Sequence, residues 1–352
     1  MLDKVHSTAK LIKTSASILV RRKEPTPTAV FDTYWRFATE RQNVYFRRIR
    51  GERGPWTTDA VLREYKFTNV YRAADRTSQY LIRNVIYKQK YGLRDTVLRI
   101  LLFKLFNKIE TWELLENTLG DICEKTFDIH KIDVVLERAL ASKAAIYSAA
   151  YIMPSGTKDI RQTRKHRMHL QLLTNMLKDN LFERLANVES MGDAFLLLLS
   201  YPSIGPFLAY QFVTDINYSD HFSFSEMEFV EAGPGARDGI RKCFSDLGEY
   251  NEADVIRWVA DRQEVELKMR DLVFRSLWGR SLQLIDCQNI FCEISKYARV
   301  AHPEVLGCSG RVRIKQRFSP QQPSPPAWFP PKWELNTSDV PPALILMPTR
   351  RG

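Results

Sequence analysis

"DTVLRILLFKLFNKIETWELLEN", residues 95–117, repeats its apolar side chains at spacings of three and four, with almost no alternation of two. That period puts one apolar stripe along a helix, whereas a half-buried strand needs every second side chain to be apolar. The same period returns in "IDVVLERALASKAAIYSAAYI" (132–152), "RMHLQLLTNMLKDNLFERLAN" (167–187) and "DVIRWVADRQEVELKMRDLVFRSL" (254–277). The expected fold class is therefore all-α. A chain of 352 residues is long enough for two or three domains or for one large helical body.

Composition changes at both ends. Residues 1–28 are polar and basic and finish in "RRKEPTPT", where Pro25 and Pro27 rule out a packed helix, so a flexible tail is expected there. From residue 311 to 352 the chain carries nine of its seventeen prolines, which predicts an extended or disordered tail with Trp328, Phe329 and Trp333 free to dock. The helical domain is placed at 29–310. Within it, "PWTTDAVLREY" offers Thr57 as a helix N-cap with Asp59 in the first turn.

The formal net charge is +11, and excess Lys and Arg attract polyanions by long-range fields and counterion release. DNA or another nucleic acid is the first partner to consider. Arg36 to Arg99 holds fifteen Lys or Arg against six Asp or Glu, and "KDIRQTRKHRMH" (158–169) is a second basic cluster. Tyr34, Trp35, Tyr45, Phe46, Trp56, Tyr65, Phe67, Tyr71 and Tyr80 are interleaved with the first, a pairing suited to stacked or extruded bases. The most apolar stretch, "FLLLLSYPSIGPFLAY" (195–210), is broken by Pro202, Gly205 and Pro206, so no membrane partner is expected. There is no apolar signal core, and five scattered cysteines without a CxxC pair read as reduced thiols. An intracellular location follows, nuclear for a eukaryotic source.

Four constellations carry candidate chemistry. On a helix, "FTNVYRAADRTSQYL" (67–81) puts Arg72, Asp75, Arg76 and Gln79 on one side, and Phe67, Val70, Tyr71, Ala74 and Leu81 on the other. The polar stripe is either a solvated ion-pair network or the wall of a site. "YPSIGPFLAYQFVTDI" (201–216) has the form of a helix-hairpin-helix turn that aims N–H groups at a DNA phosphate, with Ser203 where that motif has its first glycine and Gly205 at its second. The alternative is a plain helix corner.

"FVEAGPGARDGIRKCF" (229–244) is a second glycine turn, in which Gly233, Gly235 and Gly239 beside Arg237, Arg241 and Lys242 suit a phosphate or diphosphate, or else form a surface loop. "LIDCQNIFCEISKYAR" (284–299) gathers Asp286, Asn289, Glu293 and Lys296 in one helical sector, as acid/base work needs, or as a surface ion pair would. His166 and His169 lack an acidic third ligand at suitable spacing, the cysteines do not suit an iron-sulfur cluster, and no GxxxxGK[ST] occurs. No metal and no cofactor is expected, nor ATP-driven phosphoryl transfer by this chain alone.

"ERQNVYFRRIRGERGPWTTDAVLREYKFTNVYRAADRTSQYL" (40–81), "YPSIGPFLAYQFVTDINY", "EAGPGARDGI" and "CQNIFCEISKYAR" together resemble the α-glutamyl/putrescinyl thymine pyrophosphorylase family, also described as the helical domain of 5-hydroxymethyluracil DNA kinases. The resemblance spans roughly residues 31–300. It implies a relative of the helix-hairpin-helix DNA glycosylases, acting on a pyrophosphorylated 5-hydroxymethyluracil base in DNA, with an amine or amino acid displacing pyrophosphate. A separate kinase or oxygenase of the same pathway is an implied partner. On that reading Arg72 and Arg76 bind phosphate or diphosphate, Asp75 orients them, Asp286 or Glu293 deprotonates the amine, and Lys296 stabilises leaving charge. Arg41, Arg48, Asn69, Gln79, Ser203, Gly205, Gly233, Gly235 and Arg237 complete the expected DNA- and phosphate-binding set. Two other readings stay open: a glycosylase excising a modified base, and a non-catalytic DNA-binding subunit.

Overall fold

Several helices of this chain begin where a side chain accepts a first-turn N–H, as Thr28, Asp59, Asp128, Ser190 and Asn251 do. The computed structural model describes residues 22–148, 153–154, 164–319 and 326–336. Among them are α1 (Ala29–Ile49), α2 (Ala60–Glu64), α3 (Arg76–Tyr80), α4 (Leu93–Phe106), α5 (Ile109–Leu119), α6 (Ile129–Ala141) and α7 (Lys165–Lys178). The chain continues through α8 (Leu181–Ala186), α9 (Met191–Leu199), α10 (Pro206–Ile216), α11 (Pro234–Cys243), α12 (Glu252–Asp261), α13 (Gln263–Met269) and α14 (Leu284–Ala301). The all-α expectation holds, with one small addition: β1 (Thr26–Pro27) pairs antiparallel with β2 (Phe244–Asp246).

The opening stretch divides into α4 and α5 at Asn107, which adopts a left-handed conformation (φ 47°). Three other periodic stretches are also cut short. Residues 142–148 leave the helical path after α6, residues 179–180 separate α7 from α8, and residues 270–277 follow α13 without helix. The N-cap of α2 is Asp59, not Thr57: Asp59 accepts from the Leu62 N–H, while Thr57 Oγ1 accepts from the Asp59 N–H.

Helices α11 and α14 form the closest pairing, with α1 beside both. Their approach depends on Gly239, where a Cβ would lie 1.9 Å from the Phe291 carbonyl oxygen. The expected diphosphate turn is thereby corrected. A Cβ on Gly235 would sit 2.4 Å from Cys292 Sγ, and one on Gly233 2.5 Å from the Phe207 ring, so these glycines admit neighbouring side chains and not a phosphate. Most of the aromatics expected to stack on bases are core instead. Tyr34, Trp35, Tyr45, Phe46, Phe67 and Tyr71 are buried, and only Trp56, Tyr65 and Tyr80 reach the surface in part.

The proline-rich end folds back onto the body over residues 326–336. Trp328 packs edge-on against Tyr87, Phe329 against Trp278, and Trp333 edge-on against Tyr218 with the Arg280 guanidinium 3.8 Å from its ring centre. Lys332 Nζ donates to the carbonyls of Asn217, Ser219 and Phe222 just beyond α10, and burial pushes its pKa down to about 8. No helix among the described residues is long and apolar enough to cross a membrane.

Two glycine substitutions separate packing from flexibility. Gly239→Ala is expected to lower stability by about 1–3 kcal/mol, because the Phe291 backbone has to move. Gly205→Ala has nothing within 4 Å of the new methyl group. Its effect should be limited to the loss of a preferred N-cap residue, about 0.5–1 kcal/mol. Equal shifts of the two in thermal unfolding would contradict the close α11–α14 contact.

Candidate active site

Residues 67–81 do not form the single helix that their spacing predicts. Three polar side chains capture the backbone groups that such a helix would have used. Asp75 Oδ1 accepts from the Asn69 N–H at 2.7 Å, Asn69 Nδ2 donates to the Ala74 carbonyl, and Gln79 Nε2 donates to the Ala73 carbonyl. The result is a folded loop, a 3₁₀ turn at Arg72–Ala74, the short α3, and a π-helical turn over Leu81–Ile86. The predicted stripe is scattered. Arg76 is exposed and faces Glu110, and Gln79 Oε1 accepts from the Trp328 N–H.

Arg72, placed on the polar surface by sequence, is 2% exposed. Its Nη1 donates to Asp215 Oδ1 at 2.6 Å and to the Tyr218 hydroxyl, and its Nε donates to Gln211. Lys104 Nζ reaches the other Asp215 oxygen at 2.8 Å. Burial opposes ionisation of Asp215, but these two cations hold its carboxyl below the usual range. Arg72 is thus a structural cation tying the loop to α4 and α10, and its expected phosphate contact is corrected.

Asp286 is equally committed. Its Oδ1 accepts from the Arg72 N–H and its Oδ2 from the Gln283 N–H, closing a capping box at the start of α14. Burial pushes its pKa up to about 6 while those N–H groups pull it down. With both oxygens taken up by backbone, it is poorly placed to accept a substrate proton.

A second group of expected residues does converge. Helix α1 presents Arg41, Tyr45 and Arg48 at offsets of four and seven, hence on one face. Arg41 Nη2 donates to Asn69 Oδ1, while its Nη1 and the Tyr45 hydroxyl are buried without a hydrogen-bond partner. From α14, Glu293 Oε2 accepts from the Thr68 N–H at 3.0 Å and pairs with Lys296 Nζ at 2.6 Å, and Asn289 Nδ2 donates to the Asn69 carbonyl. Asp75, the residue just before α3, closes the group and is itself partly exposed.

Burial pushes the Asp75 carboxyl up to about 7. The Asn69 N–H and Arg41 pull it down, and Glu293 pushes it further up. Burial also lowers Arg41, to about 10, and raises the Tyr45 phenol. Arg48 lies at the rim, its guanidinium 5.3 Å from the Trp56 ring centre. The notch therefore holds a carboxyl that titrates near neutrality, a second carboxylate with its ammonium partner, and an arginine with N–H groups to spare. Such a set suits acid/base work on an acceptor-rich ligand. Tyr45 was legible only as an aromatic in a basic stretch, although its spacing from Arg41 and Arg48 carried the signal.

The remaining expected residues lie elsewhere. Ser203 and Gly205 are in the turn between α9 and α10, where Ser203 takes φ +67°, a conformation that favours glycine. Arg237 pairs with Glu231 on the surface. His166 does have acidic neighbours, Asp133 and Glu137, but they come from α6 and not from its own helix. Arg164 and Arg167 pair with the same two carboxylates, which ties down the described part of the second basic cluster. His169 binds Tyr147 and the Pro154 carbonyl, and burial lowers its pKa to about 4.

Both α1, which begins at residue 29, and α14, which ends at 301, fall within the match of residues 28–307 to the family described as "5-hmdU DNA kinase, helical domain". The chain belongs to this family. It is also similar to a protein of Bacillus phage SP10 named "5-hmdU DNA kinase", 27% identical over 305 residues. That similarity covers 80% of this chain and 47% of the phage protein, so the chain spans about half the length of this relative. No solved structure matches it. In this member of the 5-hmdU DNA kinase helical-domain family, every residue of the notch lies inside the matched segment.

The raised Asp75 pKa fixes the sign of a pH effect. The folded state binds this proton more tightly than the unfolded chain, so the group costs stability as pH rises from about 4 through 7. Asp75→Asn removes that cost. The variant should be more stable than the parent at pH 8, by up to about 4 kcal/mol, with the gap closing as pH falls toward 4. Denaturant unfolding at both pH values checks it, and a parent that is the more stable of the two at pH 8 would contradict the assignment.

Proposed function

We propose that the chain modifies DNA at an extruded thymine-type base derived from 5-hydroxymethyluracil, replacing pyrophosphate at the 5-methylene carbon with an amine or amino acid. The observation that carries this reading is the largely buried cluster in which Asp75, with a pKa near 7, sits beside Arg41, whose Nη1 has no hydrogen-bond partner. The name of the phage relative supports the 5-hmdU context. The chain contains no GxxxxGK[ST] motif, so phosphoryl transfer from ATP is left out of the proposal.

In the reaction, nitrogen of the nucleophile bonds to the methylene carbon and the carbon–oxygen bond to pyrophosphate breaks, its electrons leaving on oxygen. The proton released from nitrogen passes to Asp75 or Glu293. Arg41 and Lys296 balance the charge that builds on the leaving group, which burial makes more effective than it would be in water. The turn between α9 and α10 offers N–H groups at the start of α10 to a DNA phosphate.

Nucleoside mass spectrometry of DNA carrying 5-hydroxymethyluracil or its pyrophosphorylated form, incubated with the protein and an amine mixture, tests the proposal. An adducted nucleoside is expected. Abasic DNA with free base would assign a glycosylase instead, and unchanged DNA would remove the catalytic role. The Asp75→Asn/Glu293→Gln double variant should reduce turnover at least about 100-fold with little change in DNA affinity, most of the loss appearing in whichever single variant removes the base. Full activity in the double variant would sink the assignment of these two groups.

A further inference from the structure

Just past the family match, "RVRIKQR" (311–317) carries a cation at every second position: Arg311, Arg313, Lys315 and Arg317. All four are exposed, whereas Ile314 between them is half-buried and packs against the core. The segment is not loose. Arg299 of α14 donates to the Arg313 carbonyl, the Lys66 N–H donates to the Gln316 carbonyl, and the Phe318 N–H donates to the Glu64 carbonyl. Tyr65 and Arg317 form an antiparallel bridge. Residues 311–317 are therefore fastened between the second half of α14 and residues 64–66, which lead directly into Thr68 and Asn69 of the notch.

We infer that residues 311–317 are a DNA-backbone contact strip that holds the strand beside the notch, an inference that rests on the DNA reading above. In extended chain, alternate side chains point the same way about 6.6 Å apart. Fully extended, residues 311–317 reach at most about 20 Å, the axial length of about six phosphates on one DNA strand. Arg317 is engaged by Glu64 and lies over the Tyr65 ring. Among the described residues, Arg311, Arg313 and Lys315 have no acidic partner within ion-pair distance. Contacts of this kind position the strand without reading its sequence, and they leave base recognition to the notch.

The test measures DNA affinity against salt for the full chain, for Arg311→Gln/Arg313→Gln/Lys315→Gln, and for the control Lys125→Gln/Lys143→Gln/Lys178→Gln. The control removes the same charge at three exposed lysines distant in sequence from the strip. The strip variant should bind at least about tenfold more weakly at low salt, and its slope of log affinity against log salt should be shallower by about 3. The control should match the parent in slope. Equal losses in both triple variants would overturn the inference, since net charge alone would then explain them. A strip variant that binds like a DNA-binding parent would also overturn it while leaving the DNA reading intact. A parent that fails to bind DNA would overturn both.

Discussion

Asp215 lies between two buried cations, and the site rests on that contact. Arg72 comes from the folded loop, Lys104 from α4 and Asp215 from the end of α10, so one carboxylate fastens three segments distant in sequence. Removing one partner of such a buried cluster typically costs about 3–5 kcal/mol, because a charge is left without compensation. The backbone of Arg72 also binds Asp286 at the head of α14. The same residue therefore sets where α14 begins relative to the loop, and hence where Glu293 meets Thr68.

Two similar acids at the ends of this linkage have different tasks. Asp286 is buried with both oxygens on backbone N–H groups, as a helix cap requires. Asp75 accepts one backbone N–H and is itself partly exposed next to Arg41. Type and helical spacing alone made Asp286 the better candidate base. Only the hydrogen-bond inventory separates a carboxyl already in use from one with capacity left.

The helical class was legible because the three-and-four period reports burial on one side, and burial on one side is what these helices have. The loop at 67–81 was not legible, since its helical spacing was overridden by Asn69, Asp75 and Gln79 bonding the backbone locally. Glycines misled in the opposite way. At Gly233, Gly235 and Gly239 a turn sequence met the requirement of two helices for close approach, and nothing in spacing distinguishes a missing side chain that admits a ligand from one that admits Phe291. The α14 sector was half legible: Asn289, Glu293 and Lys296 do face one another and the loop, while Asp286 turns to capping.

The docked terminal segment alters the electrical surroundings of the centre. Trp333 covers Tyr218, whose hydroxyl accepts from Arg72, and Lys332 closes over the carbonyls just past α10. Residues 328–333 lie outside the family match, yet through Trp333 they pack on Tyr218, which bonds Arg72 of the Asp215 cluster. They act as insulation. By keeping water from Tyr218 they hold the local dielectric low, so the attraction between Asp215 and its two cations is screened less than it would be in a chain ending at the family boundary.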